Sequence, residues 1–200
     1  MKSLKTTLYF LSFMFFISSL GFSQEVKEKE VANVVEEALQ PKDFPLVFRR
    51  TTLIVRDIEK SLRLYRDAIG MEVIYDNLIP RPHPTEDREQ QLRLVFLKAT
   101  NSFYGVLGLL EYDYGNTNKP VKPIRKEGFT AQNVVLLFNS VNQTEQFEKI
   151  RKIEGIDILG EPTLVSYPGY DETTKIRVMV SKFYDPDGFI VEFNKVLDDL

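Results

Sequence analysis

Glu192 is the first residue whose type and place point to chemistry. It stands mid-run in Phe189-Ile190-Val191-Glu192-Phe193-Asn194, directly after Asp185-Pro186-Asp187-Gly188. Proline fixes φ and glycine accepts a left-handed backbone, so those four residues predict a tight turn, and the β-formers on both sides predict a hairpin around it. Alternation along the outgoing arm puts Ile190, Glu192 and Asn194 on one face and Val191 and Phe193 on the other. An ionised carboxylate among apolar neighbours needs a cation, a metal or several donors. On an exposed sheet face water meets it instead, and spacing alone allows both environments. The sole histidine, His83, sits in a proline-rich stretch and reads as a solvated loop residue. Tyr104, Tyr112 and Tyr114 read as core or rim packing, with a stacking wall for a flat ligand as the alternative. There is no cysteine, so neither lipid attachment through cysteine nor a disulfide framework is possible.

The chain that must position these groups has 200 residues, 43% of them hydrophobic, with 15 Phe and 9 Tyr, enough for a sizeable core. The net charge is -3 with basic residues scattered among acids, so no footprint for nucleic acid stands out. Residues 1–23 differ from the rest. Lys2 and Lys5 precede an apolar run from Leu8 to Leu20, and Gly21-Phe22-Ser23 offers small residues for cleavage. This predicts a signal peptide and an exported protein, periplasmic or extracellular, with no membrane span left once the signal is cut. An uncleaved anchor is the rival, disfavoured because the apolar run is short for a span. Residues 24–43 read as a charged leader that becomes a short helix stopped by Pro41, with a mobile spacer as the alternative.

Residues 44–115 form a first module. Leu46 to Val55 predicts a strand; Asp57 is a suitable N-cap; Ile58, Leu62, Tyr65 and Ile69 recur at helical spacing until Gly70. Met71–Tyr75, Leu92–Leu97 and Phe103–Tyr112 predict three strands, with Asn77–Gln90 as a surface loop or flap. Residues 116–128, with Pro120 and Pro123, predict a linker. In residues 129–200 the order returns. Asn133–Phe138 is a strand, Ser140 to Gln143 a capping box, Val141, Phe147, Ile150 and Ile153 one apolar helix face, and Ile156–Val165, Lys175–Tyr184 and Phe189–Val196 three strands. The predicted fold is therefore α+β: two paired βαβββ modules forming a curved mixed sheet around a shared pocket, with the helices outside.

The run from Leu53 to Tyr65, with Ile69-Gly70-Met71, and Asp185-Pro186-Asp187-Gly188 followed by Glu192 resemble the vicinal oxygen chelate superfamily, which includes glyoxalase I, extradiol dioxygenases, fosfomycin-resistance enzymes and bleomycin-binding proteins. The resemblance covers about Phe48 to Val196. It implies a divalent metal held by histidines on the first strand of each module and glutamates on the last strands. Of those positions only Glu192 matches. The first histidine's place holds Arg50, the second holds Asn133, and Gly108 stands where a glutamate would, with Glu111 three residues on and on the other face. Arginine offers no lone pair and asparagine is a poor transition-metal ligand, so no cofactor is expected. A hard cation on Glu192, Asn133 and water stays open and is disfavoured by the guanidinium beside it.

These substitutions suggest that Arg50 replaces the metal's charge. With Asn133 and Glu192 it would bind a small anionic or carbonyl-bearing ligand in a metal-free pocket of the bleomycin-binding kind, and a structural Arg50–Glu192 ion pair is the competing reading. The alternative function is a lyase, isomerase or dioxygenase using Glu192 as general base or with a non-standard metal. The modules can pair within one chain or across a homodimer, and the sequence fits both.

Overall fold

The computed structural model describes residues 46–102, 104–169 and 173–198. The signal peptide read over residues 1–23 and the leader over 24–43 lie outside them. Strand β1 (Arg50–Val55) leads into helix α1 (Ile58–Leu62), followed by β2 (Glu72–Pro82), β3 (Glu89–Lys98) and β4 (Val106–Glu111). After the linker come β5 (Val135–Asn139), α2 (Gln143–Ile150), β6 (Asp157–Pro168), β7 (Lys175–Tyr184) and β8 (Ile190–Val196). The two sheets have the same topology, β1-β4-β3-β2 and β5-β8-β7-β6. In each, the first strand runs parallel to the last and the other pairs are antiparallel. Both sheets are open and mixed, which is the α+β architecture expected of the repeat.

Two carboxylates start α1. Asp57 Oδ1 accepts from the amides of Glu59 and Lys60 at 3.1 and 3.2 Å, and Glu111 Oε2, from the end of β4, accepts from the Ile58 amide at 2.8 Å. Three amide donors that the helix itself leaves unpaired are thereby met. The helix then widens into a π-helix over Arg63–Ala68, with the Ile69 amide bonded five residues back to Leu64. The widened turn buries Leu64, Tyr65 and Ala68.

Residues Arg49–Leu200 form one unit around one core. Leu53 and Val55 of β1, Val95 and Leu97 of β3, and Leu107 and Leu109 of β4 meet the helices on the same side as Leu136, Val191 and Phe193 of the second sheet. Tyr65, Phe147, Phe183 and Phe193 are the largest fully buried side chains. Each contributes about 1.5–3 kcal/mol of hydrophobic stabilisation, so these four aromatics tie the modules together before any polar contact is counted. The alternate residues Arg50, Thr52 and Ile54 are turned to the opposite face of β1, and Glu192 and Asn194 to that of β8.

Three expectations are corrected. Most of Asn77–Gln90, read as a flap, is hairpin: β2 runs through Pro80 to Pro82 and β3 begins at Glu89. Prolines are tolerated there because β2 is the edge of its sheet, where a missing N–H can face outward. The capping box of Ser140 and Gln143 does not form. The N-cap of α2 is Asn142, and the Gln143 side chain turns inward, donating from Nε2 to the carbonyls of Met179 and Phe193 at 3.1 and 2.8 Å and to Ser181 Oγ at 3.3 Å. Val141, placed on the apolar helix face by its spacing, precedes the helix and is 73% exposed.

The linker is seated on the turn Asp185–Gly188. Gly188 has φ +90°, and a Cβ there would stand 2.2 Å from the Arg125 carbonyl oxygen. Gly188→Ala is therefore expected to cost about 1–3 kcal/mol and to lift the linker. The checks are the urea midpoint and faster tryptic cleavage after Arg125 and Lys126; an unchanged cleavage rate would show that the linker is not held this way.

Candidate functional site

Arg50 begins β1, and its guanidinium carbon lies 3.9 Å from the centre of the Phe96 ring. Tyr75 stacks on the other side of the arrangement, its ring centre 4.8 Å from that of Phe96 at an interplanar angle of 22°. Arg50 Nε donates to Thr52 Oγ1 at 3.1 Å. The strand register explains the cluster, since Thr52, Gly108 and Phe96 are cross-strand neighbours on β1, β4 and β3. Gly108 has no side chain, and the Thr52 hydroxyl fills the space: a Cβ at 108 would lie 2.6 Å from Thr52 Oγ1. A cation on an aromatic face gains about 0.5–2 kcal/mol, enough to hold the guanidinium flat on the ring. Its two terminal nitrogens have no hydrogen-bond or carboxylate partner among the described residues.

Glu192 is met by a different cation. Lys182, its cross-strand partner, places Nζ 3.6 Å from Glu192 Oε2, and Asn194 Nδ2 donates to Oε1 at 2.9 Å. The structure does not pair Arg50 with Glu192. Asn133 is separate again: its Nδ2 donates to the Gly128 carbonyl at 2.8 Å and to Thr130 Oγ1 at 3.1 Å, closing the end of the linker two residues before β5. Glu111 is buried on the core side, as alternation implies, where it caps α1 and pairs with Lys119. The three residues expected to share a ligand thus have three separate sets of partners, and the sequence reading missed Thr52, Phe96 and Lys182.

The donor set does not fit the family's metal centre. Among the described residues no three His, Cys, Asp or Glu side chains come together as metal ligands. Arg50 brings no lone pair, Thr52 occupies the space that a carboxylate at 108 would need, and Glu192 is the single carboxylate of the set, beside an ammonium group.

A cleft of about 1010 Å³ opens beyond the far end of β1, bounded by the linker, the β2–β3 hairpin tip at His83–Thr85 and the turn at Asp187–Phe189. Asn133 lines it; Arg50 and Glu192 do not. His83 shapes the hairpin tip, its Nδ1 accepting from the amides of Thr85 and Glu86 at 3.4 and 3.1 Å. Two of the cleft's acids are neutralised: Asp187 pairs with Arg56 at 2.7 Å, and Asp113 with Arg88 at 2.7 Å, which holds the Asp113 carboxyl well below the usual carboxylate range.

A model of the glyoxalase/bleomycin resistance protein/dioxygenase superfamily matches residues 47–193. No curated protein matches the chain. A solved glyoxalase family protein from Bacillus cereus is similar at 12% identity, covering 80% of this chain and 100% of its own, with a TM-score of 0.55. The fosfomycin resistance protein FosX from Listeria monocytogenes, solved with Mn(II) and dihydroxypropylphosphonic acid, is 16% identical over 76% of this chain and 93% of its own, with a TM-score of 0.43. The first likeness bears on fold alone. Taken with the repeated βαβββ topology, the match over residues 47–193 means that this chain belongs to the glyoxalase/bleomycin resistance protein/dioxygenase superfamily.

Proposed function

We propose that the protein is an exported small-molecule-binding member of this superfamily that takes an anionic or carbonyl-bearing ligand on Arg50, without a metal. The observation that carries the reading is the state of that guanidinium. Thr52 and Phe96 fix it in place, while its terminal nitrogens remain unengaged. A pre-positioned planar fork loses little freedom on meeting a carboxylate, phosphonate or carbonyl oxygen, and each charged hydrogen bond is worth about 1.5–3 kcal/mol. The Tyr75–Phe96 stack beside it would accept the ligand's apolar part. Export is supported by Lys2, Lys5 and the apolar run from Leu8 to Leu20.

The test is a thermal-shift panel of small carboxylates, phosphonates and α-keto acids on the purified chain, with hits titrated calorimetrically against wild type and Arg50→Gln. Binding is expected to weaken by about tenfold or more in Arg50→Gln, equivalent to about 1.4 kcal/mol or more. A panel in which no hit depends on Arg50 would overturn the reading. So would one equivalent of tightly held transition metal that is lost in Glu192→Ala.

A further inference from the structure

The cleft beneath the linker is a different place from the Arg50 cluster. Ile54 lines it and shares Arg50's face of β1, but lies four residues on, about 13 Å along an extended strand. Three observations give the cleft a chemistry of its own. Its walls are largely apolar, from Ile54, Pro84, Tyr112, Pro120 and Phe189, and Ile54 and Tyr112 are exposed rather than packed. Its charges do not cancel. With Asp187, Asp113 and Lys119 each committed to a partner, the lining groups left without one among the described residues are Lys122, Arg125 and the single acid Glu127. Finally, the segment that carries those cations is tied on both sides. Lys119 pairs with Glu111 before it, and after it the Gly128 amide donates to Tyr184 Oη at 2.6 Å while Lys126 meets Asp157 at 3.0 Å. An ammonium and a guanidinium are thus presented to an apolar cleft by an anchored strap, with an excess of one positive charge.

We propose that this cleft is a second binding site, for an apolar or aromatic organic monoanion, whose ring or chain lies against Tyr112 and the prolines and whose anionic group is met by Lys122 and Arg125. A volume of about 1010 Å³ has room for a molecule of several rings or a medium-length chain. A dianion is less well matched, because Glu127 opposes the second charge.

The probe is anilinonaphthalene sulfonate, titrated by fluorescence into the full-chain protein beside its neutral counterpart phenylnaphthylamine. One saturable site for the sulfonate is expected. The double variant Lys122→Gln/Arg125→Gln should weaken it by about tenfold or more and leave the neutral dye unchanged, while Tyr112→Ala weakens both. All three positions are exposed, so circular dichroism should show an unaltered fold. Arg50→Gln should change nothing here, so failure of the Arg50 reading and failure of this one are distinguishable. The proposal is overturned if the sulfonate shows no saturable binding, if the double variant binds it as wild type does, or if Arg50→Gln weakens it as much as the double variant.

Discussion

Asp187→Ala is expected to destabilise the unit Arg49–Leu200 by about 2–3 kcal/mol, read as a lower urea midpoint with the slope unchanged. Asp187 Oδ1 accepts from the Arg56 amide at 3.1 Å and from Arg56 Nε at 2.7 Å, and Arg56 also donates to the Pro186 carbonyl. The pair therefore bridges the end of β1 and the turn that opens β8. Asp187 is almost wholly covered, with its side chain 6% exposed, whereas the Arg56 side chain is 33% exposed. Breaking a fully buried pair costs about 3–5 kcal/mol because the surviving charge is stranded. Here water reaches part of the guanidinium, which lowers the cost and sets the range given. A double-mutant cycle with Arg56→Met separates the bridge from the loss of either side chain: once the cation is gone, deleting Asp187 should cost less by about 1 kcal/mol or more. Additive single effects would show that the Arg56–Asp187 pair does not couple the two modules, which are then held by their shared core and by other contacts such as Tyr65 Oη to Asp185.

Where the sequence was legible, the controlling physics was local. The Asp185–Gly188 turn, the Asp57 cap and the alternation around Glu192 each depend on a few consecutive residues, and the structure shows all three. The lysine that meets Glu192 was also within reach. Once the hairpin is recognised, Tyr184 faces Ile190, and counting outward along both arms brings Lys182 opposite Glu192. The family's pattern drew attention to Arg50 instead. The Arg50 cluster could not be read in the same way, because Thr52, Gly108 and Phe96 come from three strands and meet only through sheet register. The cleft was the least legible feature. Its wall is a linker whose path depends on the absence of a Cβ at Gly188, and a linker's composition says nothing about what it lies against. Prolines misled in one place for a related reason: Pro80 and Pro82 look like loop residues until the sheet order makes β2 an edge.

Asp185 gives the second large effect, and it depends on pH. Its carboxyl is fully buried beside the π-helix of the first module, accepting from Tyr65 Oη at 2.9 Å at Oδ2 and from the amides of Asp187 and Phe189 at 2.9 and 2.8 Å at Oδ1. Burial pushes its pKa up from 3.8 to about 6; the backbone donors and Tyr65 oppose the rise, and the neighbouring Asp187 carboxylate adds to it. A carboxyl whose folded-state pKa exceeds its unfolded value holds a proton more tightly when folded. Its contribution to stability is therefore full below about pH 4 and is lost as pH rises through about 6, a change of about 3 kcal/mol at 1.36 kcal/mol per unit. Asp76, Asp113 and Glu161, whose pKa values are lowered by arginines, contribute slopes of the opposite sign, so the wild-type profile alone does not isolate Asp185. Asp185→Asn does isolate it. The amide oxygen can still accept from both backbone donors and its nitrogen can donate to Tyr65 Oη, with nothing left to ionise. The stability of Asp185→Asn minus that of wild type is expected to rise by about 3 kcal/mol between pH 4 and pH 7, measured by urea unfolding at each pH, with most of the change between pH 4 and 6. A difference that stays flat across that window would mean that the carboxyl is ionised as readily in the folded protein as in the unfolded chain, and that the Tyr65 contact is an ordinary hydrogen bond to a carboxylate with no pH dependence of its own.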